Sequence, residues 1–547
     1  MVAVVAIDAG TTGIRAQAVD ELGNVVCQSY RELTQHYPRP GWVEHDPNEI
    51  WTKVEAALAE VVTQLEDRNS GPPAAIGITN QRETVVVWDR RTGSPLHRAI
   101  VWQDRRTAAR CGALAESGHL ALVRARTGLL LDSYFSATKL AWLFEEGGVE
   151  LGPHVAFGTV DSWVLWNLTG GPPGGVHATD PSNASRTLLY DIHQRRWSVE
   201  MLELFGLPAR ILPEVLPSSG RLGTVSPQVV GGGLAGVAIS GLAGDQPAAL
   251  FGQACFEPGM AKCTYGTGSF VLMNAGPQCP PPADGLLTGV AWELGTGEVA
   301  YALEGAIFAA GSAIQWLRDG LGIIAEACEV EALAASLTDA EGVYLVPAFT
   351  GLACPWWDPH ARGTVVGLSR GTGRAHLARA AVEAMAYQTR DVVEAMSGVG
   401  NRATAGAPGN GTANLPGDGA AAQGRSPSVL RVDGGASVMD LLLQLQADQL
   451  QVPVARSRVL ETTALGAAWL AGLGEGVWSS ISELAGLWAL DVEVAPRASR
   501  AGANSRHAGW LRAVERSRHW AGTGPPSSDR PTLAVREPGP GGPVIAG

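Results

Sequence analysis

Six hydrogen-bonding side chains stand in a row between two apolar runs: Thr79, Asn80, Gln81, Arg82, Glu83 and Thr84, flanked by AAIGI and VVVW. The runs read as short strands, so the polar row lies where one strand ends and the next begins. Such a row faces either water or a ligand that needs many hydrogen bonds. Arg82 offers a rigid fork of donors and Glu83 an acceptor, a pairing suited to vicinal hydroxyls. Taken alone, the pair reads more readily as an exposed ion pair, which is common and contributes little. Neighbouring strand residues point to opposite faces, so the backbone must bend if both are to reach one ligand. A second candidate is Asp245 in GLAGDQ. A strand-end carboxylate can orient an alcohol and accept its proton, or it can simply cap the next turn or helix.

Three glycine-rich turns each follow an apolar strand: DAGTTG (8–13), YGTGS (265–269) and DGGAS (433–437). Glycine lets the backbone approach a ligand closely, and successive N–H groups in such a turn form an anion-binding concavity. The Thr hydroxyls add donors. Asp8, at the end of the first strand, can hold Mg²⁺ through water. One such turn is weak information, but three on separate halves describe a nucleotide clasped between two domains. The chain has only three lysines, Lys53, Lys139 and Lys262, and none lies in a GxxxxGK[ST] loop, so a P-loop site is excluded.

The elements that must position these residues follow from the patterning. VAVVAID is a buried-strand pattern, and IRAQAVDELGNVV is an alternating hairpin with its turn at Leu22-Gly23-Asn24. Residues 47–65 have helical spacing with Pro47 at the start. Near residue 240 a similar series begins: VAISGLAGD as a strand, MAKCTYGTGSFVLMN as two strands around a turn, EVAYALEG as a strand and 306–321 as a helix. LRVDGGASVMDLLLQLQADQL is a further strand–turn–helix. Two α/β halves with similar opening hairpins suggest a duplication with a cleft between the copies. Residues 397–427 and 521–547 carry few large apolar side chains and read as a solvated insertion and a disordered tail.

Bulk properties exclude several classes. With 547 residues the chain has room for two to four domains, and 46% hydrophobic residues supply large cores. The net charge of −13, with no basic block, speaks against nucleic-acid binding. The seven cysteines are scattered and form no CxxC pair, which suits a reducing cytosol and excludes a thiolate metal site. The N-terminal MVAVVAID is expected to be a first strand and not a signal peptide, and no run approaches the ~18 apolar residues of a membrane span.

At this point the chain is identified as similar to the glycerol kinases, carbohydrate kinases that share the actin and Hsp70 ATPase fold. The resemblance runs from about Val4 to Trp520, apart from the insertion. It rests on YPRPGWVEHDPNEIW, GITNQRETVVVWD, AIVWQDRRT, FGTVDSWVLWNLT, GLAGDQPAALFGQ, KCTYGTGSFVLMN, YALEGAIFAAGSAIQWLRD, VPAFTGLACPWWDPHARG, LRVDGG and ETTALGAAWLAGL, in matching order and spacing. It implies an α/β fold of two actin-like (ribonuclease H-like) ATPase domains, 1–250 and 251–520, with the active site in the cleft between them. It implies ATP-dependent phosphorylation of glycerol in the cytoplasm by a homo-oligomer, dimer or tetramer, with Mg²⁺ as cofactor and Asp245 as general base. Arg82, Glu83, Trp102, Tyr134, Gln246 and Phe270 would bind glycerol, the aromatic side chains covering its C–H face. Thr11, Thr12, Gly13, Arg15 and Thr267 would surround the phosphates, while Gly311, Gln315, Gly435 and Met439 would line the nucleoside pocket. Asp8 and Asp245 would hold the metal, and Arg15 with Mg²⁺ would supply the positive charge, no pocket lysine being indicated.

The chain departs from the family pattern in places. Gly13 stands for a usual Ser, Ala9 for Gln, Ser133 for Pro and Met439 for an Asn on the first turn of the helix after VDGG. VVGGGLAGVAIS (229–240) lacks the Arg carried near there by bacterial enzymes that fructose 1,6-bisphosphate inhibits. Two other readings stay open: a sibling sugar or polyol kinase, and a non-catalytic ATP-binding scaffold, since actin-like folds also serve as filaments and chaperones. Trp102 and the intact NQRET and GLAGDQ oppose the first; the alcohol base, which a scaffold does not need, opposes the second.

Overall fold

A computed structural model describes residues 3–398 and 427–522. The insertion and tail expected at 397–427 and 521–547 therefore lie almost wholly outside the described residues. Two twisted sheets carry the architecture. The first has the order Ser219–Thr224, Ala238–Gly244, Ala75–Asn80, Ala3–Ala9, Gly13–Asp20, Val25–Glu32. The second runs Leu287–Glu293, Val299–Ile307, Ser269–Gly276, Ala261–Tyr265, Leu430–Asp433, Val454–Ser457, Leu490–Val494. Each sheet opens with an antiparallel hairpin and continues with parallel strands on the hairpin's first strand. This is the duplicated ribonuclease H-like arrangement of an actin-like ATPase, as the paired hairpins suggested.

Helix Pro47–Asp67 forms where expected. Asp46 caps it, its carboxylate accepting from Asn48 N–H at 2.9 Å, and Pro47 occupies the first turn, where it costs no hydrogen bond. Ile50, Val54, Ala57, Leu58, Val61 and Leu65 make one buried stripe, which packs with helix Val160–Leu168 on the first sheet. Helices Arg374–Met396 and Asp440–Leu450 bury their apolar side chains in the core of the second half.

Two helices occupy the space between the sheets: Asp245–Gly252 and Thr462–Gly474. They share one core with Val4, Ala6 and Ala75 of the first sheet and with Leu272, Ala300 and Ala302 of the second. Helix Thr462–Gly474, although late in the chain, packs on the first sheet. Glycines set how closely it sits. A Cβ on Gly77 would meet the Ala467 carbonyl oxygen at 2.0 Å, and one on Gly466 would meet that of Ala248 at 1.8 Å.

The helix expected over 306–321 begins later. Ala306 and Ile307 stay in the sheet, paired with Phe270 and Ser269, and only Gly311–Gln315 are α-helical before a wider turn at Trp316–Gly320. The pairing partner decides this, and local periodicity does not register it.

Candidate active site

The site forms where parallel strands end together. Asp8 pairs with Thr79 and Ala9 with Asn80, while Gly244 also pairs with Asn80. Three chemically active segments thus leave the first sheet at one edge: the turn after Asp8, the polar row after Asn80, and the helix that begins at Asp245. Ligands of open α/β sheets bind at such carboxyl ends.

In the first turn, the carbonyls are tied back. Ala9 O accepts from Gln81 N–H at 2.9 Å, Gly10 O from Gln81 Nε2 at 3.2 Å and Thr12 O from Leu33 N–H at 2.9 Å. Thr11 O accepts from Gln35 Nε2 at 2.5 Å. Gly10 N–H closes the turn onto Gly13 O at 3.0 Å, and the N–H groups of Thr11 and Thr12 are left to face an anion. Gln81 is thereby a brace of the turn, while Thr84 Oγ1 donates to Gln81 Oε1 at 3.0 Å.

Gly13 begins a strand, and its Cβ position is filled. A side chain there would meet the Tyr30 ring and hydroxyl at 2.4 Å and the Arg31 carbonyl at 2.6 Å. Asp8 and Arg15 pair across the hairpin, and Arg15 ion-pairs with Glu461 at the start of helix Thr462–Gly474. Burial raises the Asp8 carboxyl to about 7; Arg15 pulls it down, and Glu461 and Asp245 push it up.

The polar row bends as a shared ligand requires. Glu83 has φ +62°, a left-handed conformation rare for a non-glycine residue and a mark of local strain. All six side chains are buried, so the exposed ion-pair reading fails. Arg82 Nε donates to Asp245 Oδ1 at 2.9 Å, and its two terminal nitrogens grip both oxygens of Glu304 at 2.7 and 2.9 Å. Glu83 accepts from Arg186 Nε at 2.5 Å, and Arg186 also lies 3.2 Å from Glu304. Burial would raise Glu304, but Arg186 and Arg82 overcome it and hold the carboxyl at about 2. For Glu83 burial prevails over the same two arginines and raises it. These alternating charges offset desolvation that none could bear alone.

The aromatic side chains assemble beside this network. Trp102 lies 5.5 Å from Tyr134 and 6.4 Å from Phe270, in edge-on contacts. Lys139 Nζ donates to the carbonyls of Ser133 and Tyr134 at 3.2 and 2.7 Å, fixing the Tyr134 backbone. The Trp102 indole donates to Thr11 Oγ1 at 2.9 Å, linking the aromatic wall to the first turn.

Asp245 opens the interdomain helix. Both its hydrogen bonds, from Arg82 Nε and Gln246 N–H, fall on Oδ1. Among the described residues no donor reaches Oδ2. Gln246 Oε1 accepts from Lys262, which also donates to Thr264 Oγ1 at 2.9 Å. Lys262 is wholly buried; desolvation lowers it, while Asp433 and Asp245 are among the groups that oppose the shift. The expectation that the pocket holds no lysine is thus corrected.

The second half brings its turns together. Thr267 O accepts from Ala310 N–H at 2.9 Å and Ser312 N–H at 3.0 Å, and Gly311 N–H donates to Gly266 O at 3.0 Å. Gly434 has φ +83°, and a Cβ there would strike the Tyr265 carbonyl at 2.6 Å. Thr267, Gln315 and Gly435 are exposed and Gly311 is half-buried. Met439 differs from expectation. It precedes helix Asp440–Leu450 instead of lying in its first turn, and it is buried in the core of the second half.

Glu304, Arg186 and Lys262 were not singled out from sequence. A lone Glu in VAYALEGAI and a lone Lys in MAKCTY, both in apolar strands, were available signals. Arg186, in a loop, carried none. For Mg²⁺, the described residues hold no group of three or more His, Cys, Asp or Glu side chains able to bind a metal. A cation that keeps several waters and takes one or two carboxylates plus phosphate oxygens still fits Asp8 and Asp245.

Residues 3–252 match the FGGY family of carbohydrate kinases, N-terminal domain, and residues 261–475 match its C-terminal domain. A glycerol kinase of Dechloromonas aromatica is 50% identical over 95% of this chain and 98% of its own. One of Symbiobacterium thermophilum is 51% identical over 95% and 99%. The crystal structure of Plasmodium falciparum glycerol kinase with ADP superposes with a TM-score of 0.84, at 32% identity, over 94% of this chain and 98% of that one. Two matched domains in the right order, on two sheets of the same topology, place the interdomain cleft in a known lineage: the chain belongs to the FGGY family of carbohydrate kinases.

Proposed function

We propose that this enzyme transfers the terminal phosphoryl group of ATP to glycerol, giving sn-glycerol 3-phosphate. One observation carries the reading. Asp245, its Oδ2 unbonded, is tied through Arg82 and Glu304 to Arg186, which binds Glu83 and lies over the ring of Tyr134, itself against Trp102 and, through it, Phe270. A small polyol needs those three things: hydrogen bonds to its hydroxyls, apolar cover for its C–H face, and a base for the reacting oxygen.

Arg82 and Glu83 would bind the vicinal hydroxyls, with Gln246 turned toward the substrate by Lys262. Asp245 would accept the proton of the primary hydroxyl as that oxygen attacks. Arg82 and the helix N-terminus place positive charge beside this carboxylate. Phosphoryl transfer needs mainly positioning and charge neutralisation. The N–H groups of 11–13, Thr267 and Arg15 would position the phosphates; Lys262 adds a buried positive charge near Asp245. Asp8 and Asp245 would hold Mg²⁺, which when bound neutralises phosphate charge. Because the Asp245 side chain is still 31% exposed, closure of the two halves would expel the water that could otherwise attack ATP.

No helix among the described residues is long and apolar enough to cross a membrane. All seven cysteines are unpaired, which supports the cytoplasm as the setting. A coupled ADP-release assay tests the reading: release should depend on glycerol and saturate with it. Equal release without glycerol, or a stronger response to a pentose or hexose, would sink it.

A further inference from the structure

We propose that the Tyr30 hydroxyl is a phosphate ligand of the nucleotide site, standing in for the side chain that Gly13 lacks. The inference rests on the ATP reading above. Three observations carry it. First, Asp8, Arg15 and Tyr30 are successive cross-strand partners, Asp8↔Arg15 and Arg15↔Tyr30, so all three side chains emerge on one face of the sheet. Gly13 is two residues from Arg15 and faces the same way. Second, the Tyr30 ring end and hydroxyl lie 2.4 Å from where a Gly13 Cβ would be. The phenol oxygen therefore occupies the volume into which a residue at 13 would project. That volume adjoins the turn whose carbonyls are tied back and whose Thr11 and Thr12 N–H groups donate to no neighbour among the described residues. Third, the ring sits under the Arg15 guanidinium, 5.8 Å from its carbon to the centroid, yet its hydroxyl has no hydrogen-bond partner among the described residues. Tyr30 is 45% exposed, so its side chain is open to solvent.

A phenol O–H is a good donor to an anionic oxygen. Arg15 over the ring would share the same anion. Gly13 is then required for a reason other than flexibility: any larger residue would expel the hydroxyl and also strike the Arg31 carbonyl at 2.6 Å.

The test is Tyr30→Phe, which keeps the ring under Arg15 and removes only the oxygen. Calorimetric titration with a non-hydrolysable ATP analogue, ADP and adenosine, all without glycerol, should show about tenfold weaker binding of at least one phosphate-bearing ligand, with adenosine unchanged. KM for ATP should rise while KM for glycerol and the melting temperature hold. Tyr30→Ala, which also strips the support from Arg15, should lose more. Unchanged affinity for both phosphate ligands in Tyr30→Phe, or an equal loss for adenosine, overturns the proposal. These titrations do not depend on the acceptor, so a failure of the glycerol reading would show separately, as a wild-type enzyme that binds ATP but ignores glycerol.

Discussion

At the scale of single residues, the polar row divides its labour. Gln81 braces the first turn, Arg82 reaches Asp245, and Glu83, at positive φ, takes the Arg186 guanidinium. Asp245→Asn should keep the shape and lose the base. kcat should fall by ~10²–10⁴-fold with glycerol binding largely retained; a variant with more than a tenth of wild-type kcat would remove Asp245 from that role. Glu304→Gln leaves Arg82 and Arg186 short of one buried counter-charge. Denaturant melts should show a loss of about 3–5 kcal/mol, and a neutral result would mean the network is more hydrated than its geometry indicates. A buried histidine, His45, and a half-buried one, His177, disfavour acid. Burial lowers His45 and His177 to about 4, against about 6.5 in the unfolded chain. The unfolded state therefore takes up protons first. Asp8, which burial raises to about 7, acts in the opposite sense, so the test is differential: from pH 6.5 down to pH 4 the melting temperature of His177→Gln should gain on that of the wild type. The residues proposed to bind substrate were legible because polar side chains in an apolar context are rare. Their counter-ions were not, since Glu304 and Arg186 reach the row from more than a hundred residues away.

At the scale of elements, hairpins, the capped first helix and the strand–turn–helix after Leu430 were legible from period and capping signals. The 306–321 stretch was not, because its first residues are held by a neighbouring strand that the local window cannot see. Nor could the sequence say that Gly466 and Gly77 are contact points. Gly466→Ala forces a methyl toward the Ala248 carbonyl, 1.8 Å away before relaxation. A loss of about 1–3 kcal/mol or more is expected in thermal or chemical unfolding. A stabilised variant would show that the two interdomain helices can separate cheaply. Overpacking at this point would also move Asp245, which opens the opposing helix, so kcat should drop beyond what the stability loss explains.

At the scale of the whole molecule, two copies of one topology face each other across helices Asp245–Gly252 and Thr462–Gly474. The second of these has a consequence for how the protein is made. A chain leaves the ribosome from its N-terminus, and domains generally fold as units as they emerge. Here the strands of the first sheet are complete by Gly244, yet the helix that covers one of their faces ends only at Gly474. For the synthesis of some 230 further residues that face lacks its lid, and the missing contacts join positions far apart in sequence, which slows folding. The half made first is thus the half finished last. A fragment stopped near residue 255 should express as an aggregating or chaperone-bound species. Supplying the 462–474 helix in trans, or circularly permuting the chain so that it precedes Ala3, should relieve the dependence on nascent-chain holdases.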